Sequence, residues 1–147
     1  MHSAHVMRPV RDNELAAVLQ MWRATGVTSP SVSDSIEEST RLIREPVALL
    51  LVATIDDAIV GSVIAGWDGW RENIYRLAVA PEHRRKGIAR RLVAEIIREL
   101  FAMGATRLLA LVEPAHQWAI DFWDSITELG YEQDPKFARY IVDRVTD

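Results

Sequence analysis

Residues Ile88–Met103 constrain the fold more than any other stretch of the chain. Ile88, Leu92, Val93, Ile96, Ile97, Leu100 and Phe101 recur at helical spacing as one broad apolar stripe, and Gly104 ends the run. Strand-like runs flank this helix on both sides: Glu72–Ala80, stopped by Pro81, and Thr106–Val112, which is nearly unbroken apolar. Strand, helix and strand in that order predict a βαβ unit over 72–112. Its two strands are parallel neighbours, since a crossover helix is what parallel pairing needs.

The rest of the chain supplies further layers. His5–Arg8 reads as a short strand before Pro9, and Asp12 offers an N-cap to an amphipathic helix carrying Leu15, Val18, Leu19 and Trp22, closed by Gly26. A second helix starts at Asp34, with Glu37 at capping-box spacing, and must end by Glu45 because Pro46 follows. Val47–Ile55 and Ile59–Trp67 form an antiparallel hairpin across Asp56-Asp57, and Asp68-Gly69 marks another tight turn. Trp118–Leu129 is a last helix ended by Gly130, and Phe137–Val142 a last strand. No repeat, low-complexity tract or linker divides the 147 residues, so the pattern predicts one α/β domain with a mixed sheet.

Composition removes several classes of function. Without cysteine there is no disulfide framework, no thiolate metal site and no thiol nucleophile. His2, His5 and His83 are dispersed, and no spacing of His, Asp and Glu suggests a metal. No apolar run approaches the ~20 residues of a membrane span, and the N-terminal residues lack a signal-peptide core, so the expected setting is cytoplasmic with no membrane partner. A net charge of −4 argues against general nucleic-acid affinity.

One segment departs from that acidic average, because five of the 17 basic residues fall between Arg84 and Arg91. Arg84, Arg85, Lys86 and Arg90 surround the turn where the strand gives way to the helix. The first helical turn has unpaired N–H groups and partial positive charge, so it suits an anion. Gly87 has no Cβ to hold a phosphate off the backbone, and Ala89 keeps the next exposed position small. A basic turn that merely capped the helix would oppose the macrodipole by ~0.3–1 kcal/mol per cation, which favours a bound anion, and a pyrophosphate fits. Neither a P-loop nor a G-x-G-x-x-G motif is present.

Arg84-Arg85-Lys86-Gly87-Ile88-Ala89 resembles the [Q/R]-x-x-G-x-[G/A] signature of the GNAT N-acetyltransferases, in that family's strand–turn–helix setting. Leu77-Ala78-Val79 looks like the strand end that receives the pantetheine arm. His116-Gln117-Trp118-Ala119, Phe122-Trp123 and Leu129-Gly130-Tyr131 are similar to the family's N-x-x-A, F-Y and L-G-[F/Y] block. Asp68-Gly69-Trp70-Arg71 looks like a subgroup of small bacterial members.

The resemblance implies a mixed, mostly antiparallel sheet with a central splayed parallel pair and about four flanking helices. It also implies acetyl-CoA as acyl donor, with its pyrophosphate on Arg85 to Arg90 and its thioester between the strands ending at Val79 and near Val112. Leu77, Ala78, Val79, Arg84, Arg85, Lys86, Gly87, Ile88, Ala89, Arg90, His116 and Trp123 would line that cofactor site. Three departures stand out: Trp123 replaces the family's acidic Tyr, His116 its Asn, and Gly130 follows Trp123 by seven residues where four are usual.

Lacking a thiol nucleophile and a G-x-S-x-G elbow, such a chain would use direct attack by the acceptor amine. An alkylammonium has a pKa of ~10.4 and a thiol one of ~8.5, so the base matters more than the acid. Glu72, Glu113 and His116 are the candidates, each with a bland alternative as turn charge, strand terminator or helix-start residue. Trp67 and Trp70 flank the Asp68-Gly69 turn, either as an aromatic wall for the substrate or as ordinary hairpin packing. The expected activity is N-acetylation of a primary amine on a small molecule, amino acid or peptide N-terminus. The alternative is an acyl-CoA-binding sensor of the same fold. A homodimer is compatible with either.

Overall fold

The computed structural model describes residues 5–25, 33–112, 117–136, 138 and 144. Five strands form one sheet in the order β1-β2-β3-β4-β5: β1 (Val6–Pro9), β2 (Ala48–Ile55), β3 (Ala58–Trp67), β4 (Glu72–Val79) and β5 (Leu108–Ala110). The first four are antiparallel neighbours, and β4 and β5 are parallel. Four α-helices accompany them among the described residues: α1 (Leu15–Thr25), α2 (Ile36–Arg44), α3 (Ile88–Ala102) and α4 (Gln117–Ser125). The mixed sheet and the parallel pair are those expected from the sequence.

Alternation along the strands builds a core on each face of the sheet. Leu51, Ala53, Val63, Ala65 and Ile74 pack against Ile88, Leu92, Ile96 and Leu100 of α3. Leu50, Val52, Ile64 and Ala78 point the other way and meet Leu15, Val18, Leu19, Met21 and Trp22 of α1. β2 and β3 are therefore covered twice, which is why their sequences read as continuous apolar runs. Gly61 lets α3 sit close. A Cβ there would lie 3.1 Å from Leu92 Cδ1 and 3.2 Å from both the Ala78 carbonyl and Ile88 Cγ2.

Several boundaries differ from expectation for physical reasons. Asp12 opens a 3₁₀ turn (Asp12–Glu14) rather than capping α1. Glu14 accepts from the Arg11 N–H at 2.8 Å and from both guanidinium nitrogens of Arg8 at 2.8 and 2.7 Å. The cap of α2 is Ser35, whose hydroxyl accepts from the Glu38 N–H, because Asp34 is engaged by Arg76. α4 ends at Ser125 instead of Leu129, and the residues before Gly130 form a 3₁₀ turn, Thr127–Leu129. Phe101 is 51% exposed and lies outside the buried stripe of α3. The expected final strand, Phe137–Val142, lies outside the described residues. No helix among the described residues is long and apolar enough to cross a membrane.

Candidate active site

A gap opens between the parallel strands. Pairing of β4 with β5 runs from Glu72 opposite Leu108 to Ile74 opposite Ala110, with a 3.4 Å contact from the Leu111 N–H to the Ile74 carbonyl. β4 continues to Val79 without this neighbour, and β5 covers three residues where seven were expected. The cause is a bulge in β4. Ser62 pairs with Ala78 and Ile64 with Tyr75, so Arg76 and Leu77 together oppose the single residue Val63. Arg76 has φ 55°, a left-handed conformation that costs a non-glycine residue energy and needs support.

Three contacts supply that support. The Ser62 hydroxyl donates to the Arg76 carbonyl at 3.1 Å and accepts from the indole N–H of Trp22 at 2.8 Å. The Arg76 guanidinium donates to both Asp34 oxygens at 2.9 and 3.1 Å. Its Cζ lies 5.6 Å from the Trp22 ring. Helix α1 and the start of α2 thus pin the point at which the strands part. Sequence reasoning missed Ser62. Its signal was present: a lone hydroxyl in a run of apolar strand residues.

The basic turn adjoins the open end of β4. After Val79 comes a 3₁₀ turn, Pro81–His83, followed by two left-handed residues, Arg85 (φ 61°) and Gly87 (φ 78°), the second acting as N-cap of α3. The first bond of the helix runs from the Arg91 N–H to the Gly87 carbonyl at 3.1 Å, so the preceding N–H groups stand outside the helical ladder. Nothing lies within 4 Å of where a Gly87 Cβ would stand, which leaves clear space against the backbone.

The basic side chains divide into two sets. Arg84, Arg85, Lys86 and Arg90 are all exposed, and two of them, Arg84 and Arg90, already have partners. Arg84 Nε donates to the Val79 carbonyl at 3.2 Å, with its Cζ 5.3 Å from the Trp118 ring, and Arg90 forms an ion pair with Glu128. Glu128 sits in the 3₁₀ turn that follows α4. Ile88 and Ala78 are buried in the two cores, so only their backbone is available to a ligand.

Glu72 stands apart electrostatically. It opens β4 on the α3 face and has no solvent exposure, and neither carboxylate oxygen has a hydrogen-bond partner. Burial, reinforced by the charge of Asp68, pushes its pKa up to about 7. Its own charge, added to their burial, raises Tyr131 and Tyr75 above the usual phenol range. The Tyr131 hydroxyl and the Trp67 indole N–H are likewise buried without a partner.

Trp123 carries no phenolic hydroxyl and is held by packing. Its ring lies edge-on between Phe122 at 5.5 Å and Tyr131 at 4.8 Å, packed against the α3 core. Trp67 and Trp70 part company: Trp67 packs into the α3 core beside Gly104, and Trp70 is 71% exposed with the Arg71 guanidinium 4.0 Å from its ring. Glu113 and His116 lie outside the described residues.

Set beside known proteins, the chain matches the profile of the Acetyltransferase (GNAT) family over residues 15–127. The chain belongs to that family. It is 31% identical over 106 residues to an acetyltransferase of Photorhabdus laumondii, covering 72% of this chain and 73% of that one. An acetyltransferase of Yersinia enterocolitica is 29% identical over 141 residues, covering 94% and 97% of the two chains. Among solved structures, an aminoglycoside N-acetyltransferase in complex with CoA superposes with a TM-score of 0.79 at 15% identity, covering 97% of each chain. At that identity the likeness shows the fold alone. As a GNAT acetyltransferase, the chain is an acetyl-CoA-dependent enzyme.

Proposed function

We propose that this single GNAT domain transfers the acetyl group of acetyl-CoA to a primary amine by direct attack in a ternary complex. The observation that carries the reading is the gap itself: β4 outruns its pairing with β5 at Ile74, and its free end leads into the turn at Gly87. Strand backbone without a neighbour is costly unless a ligand supplies the partners, and the amides of a pantetheine arm can do so at Leu77 and Val79. The clear space at Gly87, flanked by Arg85 and Lys86, fits a pyrophosphate. Arg84 braces the Val79 carbonyl, and Arg90 reaches the phosphates only by leaving Glu128.

The donor provides an activated thioester. The chain's own task is to take a proton from the acceptor and hold the reactants together. In the reaction the amine nitrogen bonds to the acyl carbon, the carbon–sulfur bond breaks, CoA departs as thiolate, and the second proton shed by the nitrogen goes to that sulfur, giving CoA thiol. Glu72, two residues before pairing with β5 ends at Ile74, receives the ammonium's proton. Among the described residues it is the one fully buried carboxyl, and a pKa near 7 suits a base at neutral pH. A thiolate needs no strong acid to leave. Trp123, fixed between two rings, therefore costs the reaction little.

The deciding experiment measures CoA thiol release across a panel of amines. Glu72→Gln should lower kcat by about a hundredfold or more and remove the activity limb near pH 7, with acetyl-CoA affinity unchanged. Acetyl-CoA binding without thiol release from any amine would instead make the chain an acyl-CoA-binding module. Gly87→Glu should abolish acetyl-CoA binding in calorimetry with the far-UV spectrum intact, and unchanged affinity would refute the assignment of the turn.

A further inference from the structure

The two faces of the parted strands are unlike, and the difference bears on what is acetylated. The α3 face of β4 and β5 is covered: Ile74, Leu108 and Ala110 join the core beneath α3. The turn at Gly87 leads into that same helix, so a donor seated on the turn enters at the open end of β4. The face away from α3 is left for the acceptor. There α1 and α2 cover β2, β3 and part of β4, and among the described residues none of β5 belongs to their core.

What this face offers is apolar. Asn73 pairs with Leu109, and alternation puts Tyr75 on β4 and Leu111, just beyond β5, on the same side. Tyr75 is 39% exposed, Leu109 40% and Leu111 53%. Three large apolar side chains thus adjoin at the mouth of the gap, where the pairing ends.

Charge on the flanking elements is largely engaged in ion pairs. Arg76 is held by Asp34, and Glu37 and Glu38 share the single Arg41. An apolar body laid on this face would bury Tyr75, Leu109 and Leu111.

We propose that the acceptor is a small primary amine carried on an apolar or aromatic body. That body rests on Tyr75, Leu109 and Leu111 while the amino group enters the gap between β4 and β5. The inference rests on the acetyl-transfer reading and narrows it. It separates this chain from the aminoglycoside N-acetyltransferase that shares its fold.

The test compares kcat/KM, by thiol release, for 2-phenylethylamine and leucinamide with that for kanamycin and spermidine. The apolar amines should be favoured at least tenfold. Leu111→Ser and Leu109→Ser should each raise the KM for 2-phenylethylamine by about tenfold, the scale of losing half a leucine's burial, with KM for acetyl-CoA unchanged. Both sites are exposed enough for the variants to fold. Equal or better use of the polycations, or unchanged KM in both leucine variants, would overturn the proposal and leave acetyl transfer standing. If no amine turns over, a methyl-detected NMR titration of the CoA-bound protein with 2-phenylethylamine decides separately. Shifts at Leu109 and Leu111 uphold the site, and their absence overturns it.

Discussion

A carboxyl with neither solvent nor a hydrogen-bond donor gains little by ionising, and Glu72 is in that position. Its folded pKa, about 7, lies above its ordinary value of 4.5, so between those limits the folded chain holds a proton that the unfolded chain has released. Stability contributed by this group therefore falls as pH rises from 4.5 to 7. Above 7 the full penalty is present, of order 3 kcal/mol. Glu72→Gln should accordingly gain stability in urea unfolding at pH 8 and lose that gain by pH 4.5; an equal difference at both pH values would refute the raised pKa. Glu14 behaves oppositely. Its hydrogen bonds from Arg8 hold it at about 2, so its contribution is lost as pH falls from 4.5 towards 2. Glu72 was legible in the sequence as a candidate base at a strand start. Its burial was not, because that depends on packing beneath α3 and on Tyr131, which is close enough to feel its charge from a distant part of the sequence.

At the scale of elements, the bulge in β4 accounts for much of the site. The expectation of a seven-residue strand over Thr106–Val112 followed from apolar content, but a strand also needs a neighbour, and β4 turns away after Ile74. The lock on that turn is the chain of bonds from Trp22 through Ser62 to the Arg76 carbonyl. Ser62→Ala leaves an indole N–H and a carbonyl buried without their partner, a loss of about 2–4 kcal/mol. The variant should unfold at lower denaturant and, while folded, bind acetyl-CoA more weakly; unchanged stability would show that the bulge holds itself. The turn between β4 and α3 was by contrast read correctly from sequence alone, because Pro81 stops a strand and Gly87 starts a helix through strictly local chemistry.

Across the whole molecule, a net charge of −4 surrounds one basic turn. The proposed attraction of a polyanionic donor to that turn is screened by salt, whose Debye length falls from ~10 Å at 0.1 M to ~3 Å at 1 M. The affinity for acetyl-CoA should drop several-fold between 0.05 and 0.5 M sodium chloride, measured by calorimetry, and a flat response would place the phosphates elsewhere. The sequence by itself determined the order of the described elements, the parallel pair and the basic turn that opens α3, since helix periodicity, capping and breakers act over a few residues. Only the tertiary structure decided where the strands part, which arginines are already paired, that Glu72 is buried without a hydrogen-bond partner, and that Tyr75, Leu109 and Leu111 are partly exposed beside the gap. Those features arise when residues far apart in sequence, such as Trp22, Ser62 and Arg76, meet across the sheet, and no local pattern records such a meeting.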